Sequence, residues 1–514
     1  MKSVVLALIG SFAFASVAVA ALPPAPTITV AATDIKQLQF DISPVPRANW
    51  YELWFKANPG APWVQYAQAG VQNQRIRINT SVHLLDWRQA RFFVKACNPS
   101  GCSQSNEVGV DGQQLAAMGY FKPATSGSNQ YFGFNFAVSA DGKALVVLAS
   151  EKIDRVYGRA AIHVYRKTSP TSAWRLEARL FPSPNESGGG ASVAGDPLAI
   201  SSDGKTIAFA NWEENNTTGA VYLFRRESDG WHQTQRIVGG TATDQFGINV
   251  KLDDAGRTLV VGHNQAGGMK QEGTLEVYQD PDDGSGQFVH ATTVPAPAFD
   301  DQQWGFCRAI ALSEVGDIVR SCYSGANSAF YTQVLTSTAG AALQYTETAR
   351  LSAGAGGDVD IDDLGQRLVI RAYSLDHSVE VYRREANGWV REATLAPFGL
   401  GTNQLAISGD SKIIAIGFAE DTLAGRGPLS APYLRGAESG SVAVYERRAS
   451  GWALRRYVKA DTDNSLHSFG WDVALDRYGK LLAVGSPYDA SKATGIDGDR
   501  DDASVSGRGA LWLY

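Results

Sequence analysis

The sequence predicts an all-β protein: a small N-terminal β-sandwich, then a seven-bladed β-propeller closed by an N-terminal strand in the last blade. Three observations carry this expectation. The composition is rich in aromatic residues (10%) and glycine (53 residues), with no long stretch of helical period. One tight-turn pattern recurs seven times along the chain. The first and last copies also read alike: "NQYFGFNFAVSADGKALVVLAS" begins at Asn129 and "LHSFGWDVALDRYGKLLAVGSP" begins at Leu466.

The recurring turn defines the repeat. Its glycine stands at Gly142, Gly204, Gly256, Gly316, Gly365 and Gly479, with Ser411 in the sixth place. The spacing of about 46–68 residues suits propeller blades with variable loops. Three residues before each stand Ser139, Ser201, Asp253, Ser313, Asp362, Ser408 and Asp476, whose short side-chain oxygens can accept backbone N–H groups within the turn. Three residues after it an apolar strand begins. A third strand follows as "AAIHVYRK", "GAVYLFRR" or "GSVAVYER", and a fourth follows Trp174, Trp231, Phe288, Tyr345, Trp389 and Trp452. Four strands per unit, repeated radially, make a propeller. The last unit runs only to its third strand, "GALWLY". The stretch Leu115–Pro123 precedes the first Phe-Gly as "WALRRYVKA" precedes the last, so it is expected to supply the missing strand and close the ring.

Residues 1–20 read as a signal peptide, with Lys2, an apolar run from Val4 to Ala20, and Ala18-Val19-Ala20 before the expected cut. The mature chain is therefore expected to be secreted, periplasmic or at the cell surface, with no membrane span. Four cysteines in an oxidising compartment favour two local bridges over a zinc site. Cys97 and Cys102 flank the turn "NPSG", and Cys307 and Cys322 flank the Glu314–Gly316 turn. The net charge of −6 is well mixed, without a basic stripe, which argues against nucleic acid as a partner.

Residues 21–110 hold short strands such as "LQFDI", "YELWFK", "RIRI" and "RFFVKACN", punctuated by Pro, Gly and Asn turns. With "PPAPTITV" at the start and "FFVKACNPSGCSQSNEV" at the end, this segment resembles a bacterial fibronectin type III domain. The resemblance implies a spacer or contact module. Residues 114–514, through the pattern "FG…VALS.DG..LAVG…G.V.VY", resemble bacterial FG-GAP, or integrin-α-like, propeller repeats. That resemblance implies an extracellular binding habit and no defined reaction. Blades two, five and six lack Phe-Gly, and blade four has Trp304-Gly305 in its place.

Candidate chemistry is sparse. The turns "SADGK", "DDAGR" and "DRYGK" carry too few carboxylates for calcium and read as structural. In "GDVDIDDLG" the alternation of Asp358, Asp360 and Asp362 with Val359 and Ile361 reads as a solvated strand face. The one plausible Ca2+ cage is "DGDRDD", with Asp497, Asp499 and Asp501 as ligands; otherwise no cofactor is expected. "SSDGK" resembles the sialidase Asp-box but lacks its Trp, and the seven His form no nucleophile motif. The two longest insertions, Glu420–Glu438 and Tyr488–Arg508, lie in adjacent blades. Trp212, Arg426, Tyr433, Arg435 and Tyr488 are accordingly the candidate ligand-binding residues. The leading expectation is a non-catalytic binding or adhesion protein for a protein or glycan at the cell surface or envelope, with no buried carboxylate pair or cluster of strained pKa values in the channel mouth. The alternative, a polysaccharide lyase or glycosidase, expects a deep pocket there with two carboxylates or a His–Tyr–Arg set.

Overall fold

The repeating turn is built by its own side chains. Ser139 Oγ accepts the amide of Ala144 at 2.9 Å while Gly142 N donates to Ser139 O at 2.8 Å. Ser201, Ser313 and Ser408 repeat the arrangement through Thr206 N, Asp317 N and Ile413 N, each at 3.0 Å. At the sixth turn Ser411 itself takes the left-handed conformation (φ 58°) that glycine supplies elsewhere. Each turn joins the first two strands of an antiparallel sheet.

These observations come from a computed structural model. It describes residues 21–514 except 154–155, 184–194, 241–244, 265–271, 284, 298–304, 325–328, 339–342, 352–354, 373–377, 397–401, 430–432, 435–438 and 463–466. The expected signal peptide, Trp304 and Arg435 lie outside the described residues. The chain is all-β, with one short helical turn at Glu214–Thr217 among the described residues. No helix there is long and apolar enough to cross a membrane. The described residues divide into two units: one within 21–31, 39–78 and 86–111, the other within 32–38, 79–85 and 112–514.

In the first unit, two sheets face each other. Strands Trp50–Lys56, Val64–Gly70, Arg91–Asn98, Gly101–Gln104 and Val108–Gly109 form one sheet. Its buried residues Tyr51, Leu53, Phe92 and Val94 meet Phe40, Ile42 and Ile76 of the other, with the Phe40 and Phe92 rings 4.9 Å apart. The Cys97–Cys102 disulfide joins directly paired residues of adjacent strands.

The second unit is propeller-like. Its principal sheets follow one another along the chain, each opened by an innermost strand: Phe136–Val138, Leu198–Ile200, Asn249–Leu252, Gly305–Leu312, Ala355–Ile361, Thr402–Ile407 and Val473–Leu475. All but the sixth have four strands. The sixth gains a fifth because Pro428–Leu429, inside the long insertion, pairs with the outer strand Gly451–Val458 and covers its edge. The second bridge, Cys307–Cys322, links directly opposed residues in the fourth sheet.

Strand alternation gives each sheet two apolar faces. Val146, Leu148 and Ile162 pack against Leu198, Ile207 and Phe209 of the next sheet, while Phe136, Leu145 and Val147 pack against Leu481, Ala483 and Leu511 of the seventh. Each such side chain contributes about 1.5–3 kcal/mol, so packing between sheets outweighs any single hydrogen bond. The Phe-Gly pair is the joint between neighbours. Phe132 bridges to Gly509 of the seventh sheet and Phe469 to Gly440 of the sixth. Glycine must follow, because a Cβ on Gly133 (φ 80°) would lie 2.2 Å from Ala510 O.

The expected closing strand is present. Gly119–Phe121 pairs with Ala510–Leu513, setting Phe121 opposite Leu511 and Tyr120 opposite Trp512. The strand brings its own charge partner: Lys122 Nζ lies 2.7 Å from Asp489 Oδ1, and both side chains are sealed from solvent. Tyr120 Oη also donates to Asp489 at 2.8 Å, and His467 lies 3.5 Å away. Burial alone would raise the Asp489 pKa, but His467 and Lys122 hold it well below the usual carboxylate value.

Replacing Lys122 by Ala is therefore expected to cost about 3–5 kcal/mol in a denaturant titration, because it strands a buried carboxylate. Adding Asp489→Asn should recover part of that loss. Equal, additive losses would show that the pair does not hold the closing strand.

Candidate functional site: the central channel and its aromatic mouth

Every innermost strand runs from an inter-sheet connection to a repeat turn, so one end of the channel is bounded by the connections and the other by the turns. At the turn end, residues one place after the capping Ser or Asp are joined in a ring. Ser202 N donates to Asp254 O (2.9 Å), Glu314 N to Asp363 O (3.0 Å), Asp363 N to Gly409 O (3.3 Å) and Arg477 N to Ala140 O (3.1 Å). Asp141 N reaches Ser202 O and Asp410 N reaches Arg477 O, while Asp254 N is taken by the Glu314 carboxylate. The Arg477 guanidinium, from the seventh turn, lies against Asp254 of the third and is 2.7 Å from Asp363 of the fifth. It thus spans turns of three different sheets. Burial, reinforced by Asp253 and Asp363, pushes Glu314 up to about 8.

Above this floor is a cavity of about 250 Å³ whose charged and amide lining is Asp196, Lys251, Asp358, Asp360, Gln404 and Asp472. An innermost strand has amides with no strand beyond them to pair with, and buried amides need acceptors. Asp358 and Asp360 of the fifth sheet supply them to the sixth: Leu405 N donates to Asp358 Oδ2 and Ile407 N to Asp360 Oδ2, both at 2.8 Å. Gln404, with its amide nitrogen turned inward, also donates to Asp358. The expected solvated face is thus corrected. Val359 and Ile361 are buried as anticipated, but Asp358 and Asp360 line the channel, and Asp362 is buried in its turn at 1% exposure.

The electrostatics follow from burial. It raises Asp358 to about 6 despite the Leu405 amide and Arg371, and raises Asp360 to about 7 despite Ile407 and Lys251. Asp472 lies well above the usual carboxylate range through burial and the nearby Asp196 and Asp358. Burial opposes the charge of Lys251, yet its ion pair with Asp196 and the proximity of Asp360 hold its pKa well above that of free lysine. The expectation attached to the binding reading, of no buried carboxylate pair or cluster of perturbed titration in the channel mouth, is not met on its second count, since Asp358, Asp360 and Asp472 line one cavity with raised pKa values. Two of these carboxylates nevertheless serve the backbone.

At the connection end, four rings form a chain. Tyr131 meets Tyr488 at 6.0 Å, Tyr488 meets Trp471 at 6.1 Å, and Trp471 meets Phe134 at 4.7 Å. Tyr488 is 38% exposed, and Trp471 immediately precedes the channel residue Asp472. Tyr488 is the candidate that the fold joins to other rings. Trp212 is half-buried beside the helical turn in the second sheet, and Arg426 is exposed in the sixth-sheet insertion, where its charge acts on Asp461. Tyr433 sits on a two-residue strand paired with Leu423–Ala424.

The Asp497–Asp501 loop is tied to its surroundings. Asp497 accepts from Tyr120 N and Arg500, each at 3.0 Å, and Asp499 accepts from Asp501 N at 3.1 Å. Among the described residues, groups of three side chains close enough to share an ion occur elsewhere. One is Glu52 with Cys97 and Cys102, whose sulfurs are bonded to each other; the other is the exposed set Glu227, Asp229 and His232.

Reading the sequence missed Trp471, Phe134 and the channel residues Asp196, Lys251, Gln404 and Asp472, and assigned Asp358 and Asp360 to solvent, although a signal existed. Aligned on the turn, the positions four residues before the cap are Asn135, Pro197, Asn249, Ala309, Asp358, Gln404 and Asp472. Two residues later, Lys251 and Asp360 stand among alanines.

No family model and no curated protein matches this chain. Among solved structures, a Bacteroides fragilis protein provisionally named a 6-phosphogluconolactonase is similar over 80% of this chain and 96% of its own, at 12% identity and a TM-score of 0.43. A Bacteroides uniformis protein of the same provisional name aligns over 80% and 97%, at 11% identity and 0.43. A chain of a mitotic checkpoint complex aligns over 71% and 87%, at 12% identity and 0.42.

Asp360 binds its proton more tightly folded than unfolded, so its contribution is fullest below about pH 4 and falls away as pH rises towards 7. Asp360→Asn keeps an acceptor for Ile407 N without the charge. It should flatten the decline of melting temperature between pH 4 and 7 and melt higher than wild type at pH 8. An unchanged pH profile would contradict this account.

Proposed function

We propose that this chain is a secreted, non-catalytic binding protein that presents the connection face of a propeller to a protein or glycan at the cell surface or envelope. In this reading its seven sheets are the blades of an FG-GAP-like propeller, and its first unit is a fibronectin type III-like module. The observation that carries it is the ring chain Tyr131–Tyr488–Trp471–Phe134 beside the channel mouth. Half-exposed, mutually braced aromatic rings offer apolar contact area at low conformational cost, as recognition surfaces do. The two disulfides fit an oxidising compartment. Of the three carboxylates of the expected calcium cage, Asp497 accepts from Tyr120 N and Arg500 and Asp499 accepts from Asp501 N, so the reading assigns these two to holding the chain.

Screening the protein against a glycan array and envelope extracts tests the proposal. Trp471→Ala and Tyr488→Ala should each weaken capture of the hits at least tenfold, while both variants still melt cooperatively. Retention of every hit by both variants would overturn the proposal.

A second reading, a glycosidase or polysaccharide lyase, is favoured by one observation: Asp358 and Asp360 share the cavity wall with pKa values near neutrality. It predicts turnover of an array hit that Asp360→Asn lowers by at least a hundredfold. Binding without turnover would exclude it.

A further inference from the structure

We propose that the outward face of the five-stranded sheet in the first unit is a second binding site, a platform for acidic, uronate-bearing polysaccharide chains. Strand Trp50–Lys56 alternates strictly: Tyr51 and Leu53 enter the core, so Trp50, Glu52, Trp54 and Lys56 point the other way. The register sets Phe93 and Gln65 beside Trp54, and Lys95 and Gln68 beside Glu52. A sheet face turned from the core is ordinarily polar, yet this one has its own apolar layer. Phe93 is only 3% exposed, because Trp54 stacks parallel to it at 6.0 Å and Trp63 meets it edge-on at 4.4 Å.

The indoles are held in place. Glu52 accepts the Nε1–H of Trp50 through one carboxylate oxygen and that of Trp54 through the other, each at 3.0 Å. Trp50 and Trp54 are four residues apart on one strand, about 13 Å at the usual rise. Because both indole N–H groups converge on one carboxylate, the rings form a platform shorter than that spacing, suited to a short stretch of a sugar chain. Fixed rings lose little freedom on binding, and their planes suit the C–H faces of pyranoses.

The charges select among glycans. Lys95 Nζ lies over the Trp54 ring, 3.9 Å from its centroid, and Lys56 Nζ over the Trp63 ring at 4.6 Å, so each ammonium rests on one face of an indole. Glu52, the carboxylate between them, is committed to the two indole N–H groups, and Lys56 has one further acidic neighbour, the exposed Glu107 at 4.0 Å, a loose pair that a sugar carboxylate can share or displace. A sugar acid stacked on the indoles would set its carboxylate against these ammoniums and its hydroxyls against the exposed Gln65 and Gln68. A neutral apolar partner would have to desolvate the Lys95 ammonium without an anionic partner in return.

Affinity electrophoresis of the full chain tests the proposal, in gels containing polygalacturonate, a neutral β-glucan or single-stranded oligonucleotide. Polygalacturonate should retard the wild type, less so as salt is raised, and the other two gels should not. Trp54→Ala and the double variant Lys56→Gln/Lys95→Gln should weaken retardation at least tenfold. Because Trp54 covers Phe93, Lys95→Glu, which reverses a charge opposite Glu52 and removes no apolar core residue, is the second variant; it should abolish retardation while the chain still melts cooperatively, at a somewhat lower temperature. Trp471→Ala and Tyr488→Ala should leave it intact, which separates this site from the propeller face. The proposal is overturned if polygalacturonate does not retard the chain, if the neutral glucan or oligonucleotide retards it equally, or if Lys95→Glu has no effect. It is also overturned if Trp54→Ala turns a dimer into a monomer, since the face would then be a self-association surface.

Discussion

Sheets linked in a circle must finish against the sheet that began it, and a free edge at that seam would recruit other strands. The protein meets this constraint by placing Gly119–Phe121, which precedes the first sheet, on the outside of the last. Hydrogen bonds alone would leave so short a strand weakly held. Its hold comes from burial of Tyr120 and Phe121 and from a sealed Lys122–Asp489 pair whose two members come from opposite ends of the unit. The sixth sheet has Lys459 at the place equivalent to Lys122, so the seam reproduces an ordinary sheet with one partner supplied from upstream.

The channel is a consequence of the same arrangement. Innermost strands leave amides facing inward, and carboxylates from a neighbouring sheet accept them at Leu405 and Ile407. Placing acids there raises their pKa values, so perturbed titration in the channel has a structural cause before it has a chemical one. At the turn end, backbone bonds pass from one turn to the next, and Arg477 draws carboxylates of the third and fifth sheets together. A floor built of such contacts leaves the connection end, with its aromatic rings, as the side on which recognition is proposed.

The two aromatic surfaces differ in kind. At the channel mouth the rings belong to loops and to the residue after each Phe-Gly joint, so they are positioned by contacts between sheets. On the first unit the indoles belong to one strand and are aligned by its pleat and by one carboxylate. Only the latter could have been read from alternation, since Trp50, Glu52, Trp54 and Lys56 share a face in any strand.

The sequence by itself determined what is local or periodic: the turns, four strands to a sheet, the two disulfides and, through the likeness of "LAAMGYFKP" to "WALRRYVKA", the closing strand. These follow from short-range chemistry repeated often enough to be aligned. Only the tertiary structure decided which polar residues meet. Asp358 and Asp360 read as a wet strand face because alternation tells inside from outside but not solvent from a channel. Trp471 joined Tyr488 only once the connection and the insertion were brought side by side. Residues distant in sequence acquire a shared role through the curvature of the ring, which no window along the chain contains.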